Sequence, residues 1–256
     1  MSRSNRLIVA ALVGGAVAAS AAPAEAASSS LQARPADVVT SLTVGVSRLG
    51  GGGYAYRPRV TSPGPLPLVV LLHGAGGDPR EFMDQFRRTA DRNGYLLLAP
   101  RSAGRTWELK PPGTAGGSTD KDAATVDSAL SALFARAAID PRRVVLLGFS
   151  DGASCALSIG LANPQLFRGV IALSPGFAWR PPRIDPAQRL FIAHGRSDRI
   201  LPFANVRDKI VPGLQRSGLD PHVRWFNGGH EMDRRSMAEG LAFAMGESIE
   251  TPKTAR

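Results

Sequence analysis

The sequence predicts an α/β fold: a mostly parallel, doubly wound sheet with helices on both faces and an N-terminal antiparallel hairpin. Three observations carry this. Leu66–Leu72 is a continuous apolar run closed by His73-Gly74, the pattern of a strand buried on both faces. From there, strand-like runs alternate with amphipathic stretches long enough for crossover helices, which parallel strands require. The chain also carries 28 Gly and 20 Pro in 256 residues without a period, which marks turns and excludes a collagen-like chain.

Residues 1–26 are expected to be removed. Arg3 and Arg6 precede the apolar run Leu7–Ala22, and Ala24-Glu25-Ala26 supplies small residues at a cleavage site, so a signal peptide cut after Ala26 is expected. That places the mature protein outside the cytoplasm, secreted or periplasmic, with no stable membrane insertion after cleavage. Residues 27–40 read as a flexible lead-in, 41–250 as the folded domain and 251–256 as a disordered tail. Within the domain, Ser41–Val46 and Tyr54–Val60 are expected to pair across Gly50–Gly53. A helix is expected over Pro79–Asn93, stopped by Gly94, followed by a strand over Tyr95–Ala99. The spacing of Val126, Leu130, Leu133 and Ala137 predicts a helix over Lys121–Ala138. Strands then follow at Arg143–Gly148, Arg168–Ser174, Arg189–His194 and Val223–Phe226. The helices between and after them are Ala153–Ala162, Phe203–Ser217 (interrupted by Pro212-Gly213) and Ser236–Glu247. Trp107–Thr119 and Phe177–Gln188 resist both patterns and are candidate rims of a cleft, because ligands in such sheets sit beyond the carboxyl ends of the strands.

The net charge of +10 could attract nucleic acid or an anionic surface, but the basic residues come as scattered pairs (Arg87-Arg88, Arg142-Arg143, Arg234-Arg235) with no nucleic-acid motif. A solvated basic surface is expected, with no nucleic-acid partner. The single cysteine, Cys155, excludes an intramolecular disulfide and reads as a buried free thiol. P-loops, dinucleotide turns and acidic metal loops are absent from the sequence, so neither a metal nor another cofactor is expected.

Chemistry concentrates in Gly148-Phe149-Ser150-Asp151-Gly152, set between a strand and a helix. There the tight turn projects the Ser150 hydroxyl above the sheet, and glycine on either side removes the Cβ atoms that would collide. A serine hydroxyl needs a base within hydrogen-bond reach and an acid to orient that base. Of the four histidines, His230 stands just after the last strand, in Asn227-Gly228-Gly229-His230. His73 and His194 read as structural and His222 as a surface residue. Asp198, beyond the strand ending at Ala193, is the candidate acid; its rivals Asp185 and Asp220 each stand in an Asp-Pro turn. The order Ser150, Asp198, His230 differs from that of both major serine-protease classes. Oxyanion donors are expected from the amides of Asp151 and Ala75, with Gly76 as second choice on the glycine-rich loop after Leu72.

On these residues the chain resembles the α/β-hydrolase superfamily, and within it the small serine esterases of the phospholipase/carboxylesterase and polyhydroxybutyrate-depolymerase-like groups. The resemblance runs from about Leu66 to about Met245 and rests on LLHGAGG (71–77), LLAPRSAGRTWE (97–108), GFSDGAS (148–154), LSPGF (173–177), HGRSDRILP (194–202) and GGHEM (228–232). It implies the α/β-hydrolase fold, the Ser150–Asp198–His230 triad and ester hydrolysis without a cofactor. Trp107 matches a Thr-Trp position that lies near the pocket in similar proteins, which would make it a substrate contact; Gly76, on the loop after Leu72, is the other expected substrate contact. The alternative for Trp107 is a packing anchor for its loop, and Glu108 stands where similar sequences have Asp.

The expected activity is therefore that of a secreted serine esterase acting on small or polymeric esters. The alternatives are a polyester (polyhydroxyalkanoate) depolymerase, a carbohydrate (feruloyl or acetyl) esterase or, more distantly, a non-catalytic binding protein on a hydrolase scaffold. Arg101, Arg105 and Arg199 near strand ends read either as solvated rim charges or as contacts for anionic substrates.

Overall fold

The computed structural model describes residues 30–59, 63–108, 121–179 and 184–247. The expected signal peptide, the tail, and parts of both candidate rim segments lie outside the described residues. An eight-stranded sheet runs in the order β1-β2-β4-β3-β5-β6-β7-β8. Its strands are β1 (Gly45–Arg48), β2 (Tyr54–Arg57), β3 (Leu66–Leu72), β4 (Leu96–Ala99), β5 (Ile139–Phe149), β6 (Gly169–Leu173), β7 (Arg189–Gly195) and β8 (His222–Phe226). From β4 to β8 every pairing is parallel, whereas β1–β2 and β2–β4 are antiparallel.

The unbroken apolar runs are explained by two cores, one on each face. Along β3, Leu68, Val70 and Leu72 enter the core shared with α3 (Lys121–Phe134) and α4 (Asp151–Ala162), while Val69 and Leu71 enter the other. That second core is completed by α1 (Pro79–Asp84), α2 (Arg87–Asn93) and α7 (Arg234–Met245). Successive strand side chains point to opposite faces, so both parities must be apolar when both faces are covered.

Several boundaries depart from the sequence reading; β5, expected from Arg143, already starts at Ile139, where Leu66 pairs with it. The first strand starts at Gly45, not Ser41, because Leu42 N–H donates to Arg136 O and Gly45 turns the chain at φ +90°. The helix expected over 79–93 is two. Asp78 caps α1 by accepting from the amides of Arg80 and Glu81, and a break at Gln85-Phe86 brings Phe82 and Phe86 into the core edge to face, 5.4 Å apart. Helix α3 stops at Phe134, and the carbonyls of Ala135 and Arg136 accept from Val39, Thr40 and Leu42 instead. The segment from Phe203 divides into α5 (Phe203–Asn205), a π-helical turn (Val206–Ile210) and α6 (Val211–Arg216). Pro212 has no N–H to return to the preceding turn, which accounts for the widened geometry there.

The expected flexible lead-in is corrected for the part that is described. Leu31 and Ala33 are buried, Leu31 N–H donates to Asn163 Oδ1 (2.8 Å), and the amides of Gln32 and Ala33 donate to Asp127 Oδ1. Two side chains, on α3 and just after α4, thus strap the first described residues onto the core shared by these helices. Asn163→Ala leaves the buried Leu31 amide without its acceptor and is expected to cost about 1–3 kcal/mol. The check is a lowered thermal midpoint with an unchanged rate of Ser150 labelling by a fluorophosphonate; an unaltered midpoint removes the strap from the stability account.

Candidate active site

The site is assembled on the edge where the parallel strands end. Ser150 sits between β5 and α4 at φ 57° and ψ −119°, a conformation that costs a non-glycine residue about 1–3 kcal/mol. Ser150 N–H donates to Leu173 O at 2.9 Å and so fixes the turn to the end of β6. The flanking glycines have separate steric causes. A Cβ at Gly148 would overlap Gly152 O, and a Cβ at Gly152 would overlap the carbonyls of Leu72 and His73. Helix α4 can therefore begin directly against the end of β3.

The structure brings the three residues expected to act together into one hydrogen-bonded chain. His230 Nε2 lies 2.8 Å from Ser150 Oγ, and His230 Nδ1 lies 2.7 Å from Asp198 Oδ2. With a carboxylate beside Nδ1, that nitrogen carries the hydrogen, and Nε2 is left to accept from the serine hydroxyl. The Phe149 ring, 5.0 Å from that of His230, flanks the imidazole. Asp198 Oδ1 accepts from the amides of Ile200 (2.9 Å) and Leu201 (2.8 Å). Burial pushes the Asp198 carboxyl up, but its hydrogen bonds from His230, Leu201 and Ile200 outweigh that and hold it below the ordinary carboxylate range.

The spacing of Asp198 and His230 depends on Gly195. A Cβ there would overlap the carbonyls of Gly229 and Gly228, so the loop carrying His230 can close on the loop carrying Asp198 only over glycine. Backbone bonds from Arg196 N–H to Phe226 O and from Ser197 N–H to Gly228 O, both 2.9 Å, lock the two loops together.

Among the expected oxyanion donors, the amides of Ala75 and Asp151 make no hydrogen bond among the described residues, and Asp151 N–H heads α4, where the helix dipole is positive. A methyl at Gly74 would stand 3.5 Å from Ser150 Cβ, which puts the Gly74-Ala75 backbone beside the serine. Gly76 is corrected: its N–H donates to Arg105 O at 2.6 Å, so this amide joins two loops and is not free to bind substrate. Trp107 is also corrected from substrate contact to packing anchor. It is 3% exposed, its Nε1–H donates to His73 O and its backbone N–H donates to Asp151 Oδ2, both at 2.7 Å.

Several residues that shape the site escaped the sequence reading. Asp122, fully buried near the start of α3, accepts from Ala103 N–H and Glu108 N–H and holds the loop after β4. Asp151 contributes its carboxylate to the same loop; burial raises this carboxyl above the usual range, against the opposing hydrogen bond from Trp107. Ser154 Oγ accepts from the amides of Gly176 and Phe177 and folds the loop after β6 onto α4. Nothing in local periodicity marks these residues, since each acts on a distant loop. Two cavities, of about 410 and 230 Å3, are lined around Pro100–Ala103 and around Gly176–Ala178, and neither includes Ser150, Asp198 or His230. No group of His, Cys, Asp and Glu among the described residues could hold a metal ion.

A strand-to-helix turn carrying Ser150 on a mostly parallel sheet, with His230 and Asp198 on loops after later strands, is the architecture of the α/β-hydrolase class. Residues 69–252 match the model of the alpha/beta hydrolase family, and the chain belongs to that family. It is 27% identical over 165 residues to NocK of Nocardia uniformis subsp. tsuyamanensis, which carries an esterase designation; the match covers 60% of this chain and 48% of that protein. It is 30% identical over 159 residues to the poly(3-hydroxybutyrate) depolymerase of Ralstonia pickettii, covering 56% of this chain and 32% of the other. The chain thus spans half or less of the length of these curated relatives. The solved acetyl xylan esterase from Aspergillus awamori shares the fold, with a TM-score of 0.59 at 16% identity over 75% of this chain and 94% of that one.

Two measurements probe this geometry. Gly195→Ala is expected to push the His230 loop off Asp198 and to slow fluorophosphonate labelling of Ser150 by about 100-fold, the scale of a misplacement near 1 Å; a wild-type rate would show the contact to be dispensable. His73 and His194 are buried, and burial lowers both below the ordinary histidine value. Unfolded, these imidazoles take up protons near pH 6.5, before the folded ones do, so the unfolded chain binds more protons below that pH. Stability is therefore expected to fall as pH drops from about 6.5 through the lowered folded values, read as a lower urea midpoint at about pH 5.5 than at about pH 7.5. Equal midpoints would contradict the neutral, buried assignment of both rings.

Proposed function

We propose that this protein is a secreted serine hydrolase that cleaves carboxylic esters through an acyl-enzyme. The observation that carries the reading is the chain Ser150 Oγ–His230 Nε2 at 2.8 Å and His230 Nδ1–Asp198 Oδ2 at 2.7 Å, set on a strand-to-helix turn. Ser150 Oγ attacks the ester carbonyl while His230 Nε2 takes its proton. Asp198, buried and held by two amides, keeps the imidazole in the correct tautomer and stabilises the imidazolium without itself taking the proton. The amides of Ala75 and Asp151 receive the oxyanion, and donors of this kind are worth about 2.7–4 kcal/mol each in the transition state. His230 then returns the proton to the leaving alcohol, and water repeats the sequence on the acyl-enzyme.

Export rests on the sequence of residues 1–26, and no described helix is long and apolar enough to cross a membrane. A polymeric ester is the second reading, favoured by the depolymerase relative and by Ile200, 69% exposed two residues beyond Asp198, which offers an apolar rim to a solid or chain-like substrate. An acetylated or feruloylated polysaccharide would meet the same open rim.

Hydrolysis of p-nitrophenyl acetate, butyrate and octanoate by the mature chain tests the proposal, with Ser150→Ala alongside. The expected result is activity abolished in Ser150→Ala, with kcat lowered roughly 10³–10⁴-fold in Asp198→Asn. Turnover of none of these esters, together with no fluorophosphonate labelling of Ser150, would reject it. Soluble products released from polyhydroxybutyrate or from acetylated xylan, at rates above those on the small esters, would favour the polymer reading.

A further inference from the structure

Arg101, Arg105 and Arg199 stand on loops at the edge that carries Ser150, and the structure separates them. Arg101 is already paired: its guanidinium holds Asp78 Oδ2 at 2.8 Å, and its side chain lies across Gly52. Arg199 follows Asp198 on the loop after β7. Arg105 is tied to the loop after β3. Its carbonyl accepts from Gly76 N–H at 2.6 Å, and its Nε would stand 3.5 Å from a Cβ on Gly76. A Cβ on Gly74, two residues earlier, would stand 3.5 Å from Ser150 Cβ. Two residues span only about 7 Å even when fully extended, so the Arg105 side chain is held close to the Ala75 amide between them. Arg105 is exposed and makes no ion pair among the described residues. The carboxylates around it are turned elsewhere. Asp122 accepts from the amides of Ala103 and Glu108, Asp151 Oδ2 accepts from Trp107 N–H, and Asp78 pairs with Arg101. Glu108, exposed on the same loop, forms no ion pair with it. A cation thus stands at the rim of the site without a counter-ion. Its planar fork matches a carboxylate with two parallel N–H donors.

We propose that Arg105 determines specificity by binding an ionised carboxylate carried by the ester substrate, so that carboxylate-bearing esters are preferred over neutral esters of the same size. The inference rests on the esterase reading given above. In such a substrate the scissile carbonyl oxygen meets the amides of Ala75 and Asp151, and the carboxylate, a few bonds away, meets Arg105 beside the same loop. The carboxylate takes no part in bond making or breaking; it holds the carbonyl against Ser150. Because Arg105 is exposed, the contact is worth a modest factor and weakens with salt. A merely solvated rim charge would act only through the net charge of the whole surface, and removing it would do no more than removing any other arginine at this edge.

The test compares monomethyl glutarate with its terminal amide, and O-acetyl-lactate with O-acetyl-lactamide. The first pair carries the carboxylate on the acyl side and the second on the alcohol side. The wild-type chain is expected to show the higher kcat/KM for the ionised member of at least one pair, and the pair that responds locates the carboxylate. Arg105→Gln is expected to lower that ionised-to-neutral ratio about fivefold, with kcat/KM for the neutral member within about twofold and an unchanged thermal midpoint. Arg199→Gln removes the same charge from the other side of the site and is expected to leave the ratio within about 1.5-fold. Raising NaCl from about 0.05 M to about 0.5 M is expected to bring the wild-type ratio toward that of Arg105→Gln. No wild-type preference in either pair overturns the proposal. So does a wild-type ratio in Arg105→Gln, or an equal fall in Arg199→Gln. Should none of these esters be turned over, the esterase reading fails on its own, and binding decides for Arg105. A shift of the Arg105 15Nε–H signal with monomethyl glutarate but not with its amide supports the carboxylate site; no shift up to about 50 mM overturns it.

Discussion

The turn that holds Ser150 at a positive φ is the constraint on which the rest of the site depends. It can exist only because two glycines let α4 begin in contact with the end of β3, with the Gly152 Cα against the carbonyls of Leu72 and His73. That contact does two things at once. It sets the serine above the sheet, and it brings the free amide at the start of α4 next to the loop carrying Ala75. The strain is borne by the packing of β3, β6 and the Val144–Gly148 part of β5, whose side chains are buried on both faces.

The remaining partners are delivered by loops that would otherwise be free to wander, and each is tied down by a long-range contact. Backbone bonds between the β7 and β8 ends hold Asp198 and His230 in register, with Gly195 giving the closeness. On the opposite flank, Asp122, Asp151 and Trp107 draw the loop after β4 against the loop after β3. Ser154 does the same for the loop after β6. The sheet supplies a rigid edge, and buried polar side chains convert that edge into a fixed arrangement of loops.

Neutral buried imidazoles run through this arrangement. His73 Nδ1 donates to Gly74 O and its Nε2 accepts from the Ser102 amide, while His194 Nε2 donates to Leu201 O. Both rings join a loop to its neighbour without bringing a charge into the protein interior, which would be costly to bury. His230 differs from them in being partly exposed and in having the Ser150 hydroxyl on its second nitrogen.

The sequence by itself determined the parallel sheet, through apolar runs such as Leu66–Leu72, and it marked Ser150, Asp198 and His230 through their places after strands. These are local signals, because strand burial and tight turns dictate residue type within a few positions. Only the tertiary structure decided that the lead-in is strapped to Asn163, 132 residues away from Leu31, and that Trp107 is a buried anchor. It also decided that the Gly76 amide is taken by Arg105, and that His194 bonds Leu201 O. Asn163, Asp122 and His194 look unremarkable along the chain because their roles are set by partners on other elements. Periodicity records which face a side chain presents, and it carries no information about which distant amide or carboxylate that face will meet.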